Sequence, residues 1–101
     1  DFTFVDTVTA VLTDAVLRRV RDPDPVNLAF GSRTDLLTLI GMLEEQIGHP
    51  LERDHQPVRP GDVPHSQADS TRLLQLFPDV KPTPLEEGLA ATIAWMRSLQ
   101  T

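Results

Sequence analysis

Val26-Asn27-Leu28-Ala29-Phe30-Gly31 lies between two stretches of helical periodicity, and its reading decides the fold class. A short apolar-rich run that ends at glycine has the pattern of a buried strand. Upstream, Val8, Val11, Leu12, Ala15 and Val16 fall on one helical face, and Arg18, Arg19 and Arg21 sit near the end where cations suit the helix dipole. Phe2 to Val5 is a β-favouring run, Asp6 is the expected cap of this helix, and Asp22-Pro23-Asp24-Pro25 breaks it. Downstream, Ser32 or Thr34 is the expected cap of a second helix with the stripe Leu36, Ile40, Leu43 and Ile47, closed by Gly48. Leu37 and Leu39 widen the stripe and predict a helix covered on more than one side.

The segment from His49 to Asp69 holds four prolines and all three histidines. Leu51 to Gln56 is a third expected strand, and Pro60-Gly61 is a strong turn dipeptide. Ser70 to Phe77 reads as a short helix stopped by Pro78. In the last helix, Thr83 is the expected cap, Pro84 the first helical residue and Glu86 the capping-box partner. Leu85, Leu89, Ile93 and Met96 make its apolar face, with Trp95 beside it. Strands alternating with helices predict an α/β fold of about four helices with short strands.

A chain of 101 residues fits one domain. Nine basic against fifteen acidic residues, net −6, exclude a general affinity for nucleic-acid backbones or anionic membrane surfaces. The absence of cysteine excludes disulfides, thiolate zinc sites and a cysteine nucleophile. Tyrosine is absent too, and Lys81 is the sole lysine. No signal peptide pattern and no apolar run of ~18 residues occur, so a cytoplasmic location is expected. The chain opens at Asp1 rather than methionine, which raises the expectation of a processed chain or a fragment.

Chemistry concentrates at Arg59-Pro60-Gly61-Asp62. Glycine allows close backbone approach, arginine offers a planar fork for phosphate oxygens, and aspartate accepts from sugar hydroxyls. The loop reads either as a clamp for a phosphorylated, hydroxyl-rich ligand or as a surface turn with an incidental ion pair. His49, His55 and His65, with Asp54, Asp62 and Asp69, match no compact metal-ligand spacing, so no metal site is expected. Ser66 beside His65 and Asp69 lacks the convergent geometry of a triad, and there is no G-x-S-x-G elbow. Gly31, Gly41, Gly48, Gly61 and Gly88 are too scattered for a phosphate-cradling loop.

Four stretches together resemble the C-terminal part of the extended short-chain dehydrogenase/reductase family, the NAD-dependent nucleotide-sugar epimerases and dehydratases. Asp1-Phe2-Thr3-Phe4-Val5-Asp6 resembles the family's R-D-F-x-[YF]-V-x-D run without its arginine, and Asn27-Leu28-Ala29-Phe30-Gly31 is similar to its N-[VIL]-G-x-G. Arg59 to Asp69 looks like R-x-G-D-V-x-x-S-x-A-D, and Leu85 to Trp95 like L-E-E-G-L-x-x-T-I-x-W. Thr7 and Ala29 depart from the pattern, where the family often has aspartate and glycine.

The resemblance implies that residues 1–101 are the nucleotide-sugar-binding portion of a Rossmann-type enzyme, an epimerase similar to those acting on UDP-glucose. By it, Arg59 contacts the diphosphate of a UDP- or other NDP-sugar, and Asp62 lies near the ribose. NAD and the Tyr-x-x-x-Lys pair would belong to an N-terminal domain absent from this chain, which holds no catalytic or cofactor-binding residue of its own. A homo-oligomer is implied. The alternatives are a stand-alone, non-catalytic binding module, or part of a dehydratase or reductase of the same family.

Overall fold

The computed structural model describes residues 1–100. It contains four helices: α1 (Val5–Arg18), α2 (Leu36–Ile47), α3 (Thr71–Leu76) and α4 (Leu85–Ser98). No strand occurs among the described residues, so the fold is helical and the α/β expectation is corrected. The reason is that none of the three expected strands has a partner edge among the described residues. A strand is defined by a ladder, and an apolar run without a partner edge is only an extended segment.

At Val26–Phe30 the neighbouring polar groups are taken by side chains. The Gly31 N–H donates to the Asp1 carboxylate at 2.7 Å, the Gln67 amide donates to the Gly31 carbonyl, and the Asn27 amide donates to the Asp69 carbonyl at 3.3 Å. At Leu51 the N–H donates to the Glu44 carboxylate at 2.9 Å, and Arg53 reaches the same group, latching this segment to the end of α2. Phe2–Val5 runs straight into α1, because the Phe4 carbonyl accepts from Thr7 and Val8 N–H.

Helix starts differ from expectation by one to three residues. Phe4, not Asp6, stands at the cap position of α1, and Asp6 lies in the first turn. Asp35 rather than Thr34 or Ser32 caps α2, accepting from the Thr38 N–H at 2.8 Å and its hydroxyl at 2.9 Å. Pro84 precedes α4 with no side-chain cap bond, because Thr83 is engaged elsewhere. Gly48 closes α2 in the left-handed region as expected.

Two small apolar assemblies result. In the first, Val11, Leu73 and Phe77 are buried, with Ala15, Val20, Val26, Leu28, Phe30, Leu76 and Val80 half-buried around them. Arg18 brackets this assembly by pairing with Asp14, donating to the Leu76 carbonyl at 2.7 Å and stacking 5.5 Å from the Phe77 ring centroid. In the second, α2 packs beside α4, and Phe2, Phe4, Leu39, Leu85 and Leu89 line a shared groove of about 170 Å³. Leu36 and Leu37 remain exposed, so α2 is covered on one side and not on several.

A buried polar contact links α1 to the segment that leads into α4. Thr7 is 2% exposed, accepts the Thr83 N–H at 2.9 Å and donates to the Thr83 hydroxyl at 3.3 Å. Beside it Phe4 packs on Gly88, where an added Cβ would lie 3.2 Å from the ring.

Thr7→Val should therefore destabilise the chain by about 1–3 kcal/mol, since a buried N–H loses its acceptor at nearly constant shape. Thr7→Ser should retain most of the stability, and urea titration followed by circular dichroism measures both.

Acid should act through the backbone-holding carboxylates. Asp35 is held below the usual carboxylate range by the Thr38 N–H and hydroxyl, Glu44 by the Leu51 N–H and then Arg53, and Asp22 by the Asp24 N–H with Arg72. A depressed folded pKa contributes stability above the unfolded value, near 4, and loses it as pH falls through the folded value. Helical signal should hold from neutral pH to about 4 and decline below it. A midpoint above about pH 5 would contradict this assignment.

Candidate functional site

Pro60 and Gly61 build the loop that carries the sequence-derived site. Proline pre-sets the first central position of a turn, and glycine supplies the positive φ, here 88°, that the second requires. The Asp62 N–H closes the turn on the Arg59 carbonyl at 3.2 Å. Arg59 and Asp62 therefore emerge side by side, and the Arg59 Nε donates to the Asp62 carboxylate at 3.3 Å. Their side chains are 85% and 51% exposed, so they pair with each other in solvent and not inside a walled pocket.

Three residues further on, the chain enters a recess of about 280 Å³ lined by Arg33, Thr34, Asp35, Pro64, His65 and Ser66. It places a guanidinium, an imidazole and two hydroxyls at the start of α2. Gly31 fixes this arrangement, since Asp1 holds its N–H, Gln67 holds its carbonyl, and Asp1 also accepts from Ser32 at 2.9 Å. The sequence presents His65 and Ser66 as metal or triad candidates and as part of the Arg59–Asp69 run, and it does not single out Arg33. The one signal for Arg33 was a cation between Gly31 and a helix cap.

Among the described residues, no three His, Asp or Glu side chains are gathered as a metal-binding group. His49 instead lies against its neighbouring Pro50 carbonyl at 2.9 Å. Asp69 is drawn below the usual carboxylate range by the Thr71 hydroxyl and N–H, which makes it a turn-former at the start of α3. No helix is long and apolar enough to cross a membrane among the described residues.

An exposed ion pair contributes little stability because water screens it and two long side chains must be ordered. Asp62→Asn should therefore leave the thermal midpoint of the chain within about 4 °C of wild type. Calorimetry checks this, and a larger fall would mean that the turn is part of the folding core.

No protein-family model matches the chain. Among curated proteins, it is 34% identical over 71 residues to the probable UDP-glucuronate 4-epimerase of Rhizobium meliloti (strain 1021), covering 69% of this chain and 20% of that protein. It is 25% identical over 113 residues to Protein CapI of Staphylococcus aureus, covering 94% of this chain and 34% of that protein. The chain thus spans about a fifth to a third of the curated relatives it matches. Each aligned stretch is long enough to take in the Arg59–Asp62 turn. These partial matches suggest a distant relationship to epimerase-family proteins.

Proposed function

We propose that this chain forms the nucleotide-sugar-facing portion of an NAD-dependent nucleotide-sugar epimerase, with Arg59 on the diphosphate and Asp62 on the ribose. The carrying observation is the Pro60-Gly61 turn, which presents a guanidinium fork and a carboxylate 3.3 Å apart on an exposed loop. A planar fork suits two phosphate oxygens, and a carboxylate suits vicinal hydroxyls. Because the resting pair is solvent-screened, opening it to admit a ligand costs about 1 kcal/mol or less. The diphosphate then replaces Asp62 as the partner of Arg59, and Asp62 is released to accept from the sugar.

The residues present do not fit NAD. The five glycines stand apart along the chain, no glycine-rich loop opens any of the four helices, and no tyrosine exists to act as acid or base. No residue of this chain is assigned to hydride or proton transfer. Those steps belong to further polypeptide in the reading proposed here, as NAD binding does.

In the full-length enzyme, Arg59→Ala should weaken UDP binding at least tenfold, about 1.4 kcal/mol, by isothermal titration. Arg59→Lys should recover only part, since an ammonium cannot reproduce the fork. NAD affinity should not change. Equal UDP dissociation constants for wild type and Arg59→Ala would reduce the pair to a surface ion pair and remove the basis of the proposal.

A further inference from the structure

We propose that the recess between Arg33 and His65 is a second oxyanion subsite, in which the Arg33 guanidinium holds a phosphate or carboxylate group of the ligand that the Arg59–Asp62 turn engages. This rests on the reading that the turn takes a nucleotide sugar.

The recess is a place where an acidic chain leaves a cation without a counter-ion. Arg18, Arg53, Arg59 and Arg72 each pair with a carboxylate, whereas Arg33 forms no ion pair among the described residues. The acids beside it are already engaged. Asp35, the one carboxylate in the wall, accepts from the Thr38 N–H with one oxygen and from the Thr38 hydroxyl with the other. Asp1 divides its two oxygens between the Gly31 N–H and the Ser32 hydroxyl. Arg97 also lacks a carboxylate partner, but the recess it lines is shared with Glu86 and Glu87, which oppose an anion. Around Arg33 the wall adds the Thr34 and Ser66 hydroxyls and the His65 imidazole, all able to donate to an oxyanion.

The two walls, residues 33–35 and 64–66, are set before any ligand arrives. Gly31 has a φ of 79°, and a Cβ added there would stand 3.3 Å from the Ser70 hydroxyl and 3.5 Å from the Ala68 carbonyl. Glycine at this position lets the two stretches of backbone approach closely. The Gln67 amide then bonds the Gly31 carbonyl, and the Asn27 amide bonds the Asp69 carbonyl. A site ordered in advance loses less freedom on binding.

Size and distance make the recess one part of a larger site. Its volume of about 280 Å³ falls just below the usual range for whole ligands, roughly 300–1,000 Å³, so it takes one group and not an entire nucleotide sugar. Asp62 and Pro64 are two residues apart, which puts their Cα atoms within about 7 Å of each other. A ligand held at the turn therefore reaches the recess with its next acidic group. Two groups carry that chemistry, the diphosphate itself and a carboxylate on the sugar.

Isothermal titration of the full-length enzyme with UDP, UDP-glucose and UDP-glucuronate, wild type against Arg33→Ala, tests the subsite. UDP-glucuronate differs from UDP-glucose in carrying a carboxylate in place of the hydroxymethyl group. Arg33 is exposed and unpaired among the described residues, so the variant should keep the wild-type circular dichroism spectrum. Arg33→Gln repeats the measurement with donors retained and the charge removed. Affinity for UDP-glucuronate should fall about tenfold or more in both variants. An equal fall for UDP identifies the bound group as phosphate, and unchanged UDP and UDP-glucose identify it as the sugar carboxylate. Equal dissociation constants for wild type and both variants with all three ligands overturn the proposal. Loss on Arg33→Ala without loss on Arg59→Ala leaves the subsite standing and removes the reading of the turn. Loss on Arg59→Ala alone removes the subsite.

Discussion

The hydroxyl of Thr7 makes the longest-range side-chain contact described in this fold. It joins residues 76 positions apart, taking the Thr83 N–H and returning a hydrogen bond to the Thr83 side chain in a buried site. On one side of it lie α1, α3 and the 20–30 segment around Val11, Leu73 and Phe77. On the other lie α2 and α4 with the two N-terminal phenylalanines. Little apolar surface is buried in either half, so this contact works beside the Asp1 bonds to Gly31 and Ser32 in ordering them. It also explains why threonine suits position 7. An aspartate there would bring a charge into a buried contact with another hydroxyl and would need a compensating partner.

The acidic excess of the chain is largely put to structural use. Asp22, Asp35, Glu44 and Asp69 each hold a backbone N–H, at a turn, at a helix start or at a latch between segments. Asp22 and Glu44 also pair with Arg72 and Arg53, which tie α3 and the proline-rich segment to the rest. Arg59 and Asp62 differ, because their only bond in the fold is to each other. A pair with no other structural duty can be parted by a ligand without loosening the backbone around it.

Periodicity made the helices legible in the amino-acid order. The helices α2 and α4 form where the spacing of Leu36 to Ile47 and Leu85 to Met96 predicts, but Leu36 and Met96 at the ends of the two stripes stand exposed, and Gly48 and Pro78 stop helices for the reasons glycine and proline always do. Strands were not legible, because the run Val26–Phe30 becomes a strand only beside another edge, and composition says nothing about whether one is present. The caps were misplaced because Ser32, Thr34 and Asp35 are all competent acceptors, and only the fold decides that Ser32 instead donates to Asp1. The Arg59–Asp62 turn was readable from Pro60-Gly61 alone. The Arg33–His65 recess was not, since its walls, residues 33–35 and 64–66, lie far apart in the chain and are brought together with the help of the Gln67–Gly31 bond.

The position of Trp95 has an optical consequence. The chain holds one tryptophan and no tyrosine, so its near-ultraviolet absorption and emission come almost entirely from a single indole. That indole stands 61% exposed on α4, in much the same wet environment it would have in an unfolded chain. Emission wavelength will therefore be nearly silent to unfolding of this chain, and intrinsic fluorescence will understate its cooperativity. The same signal should shift to the blue when anything apolar settles on α4, which makes the molecule a poor reporter of its own folding and a sensitive reporter of its company.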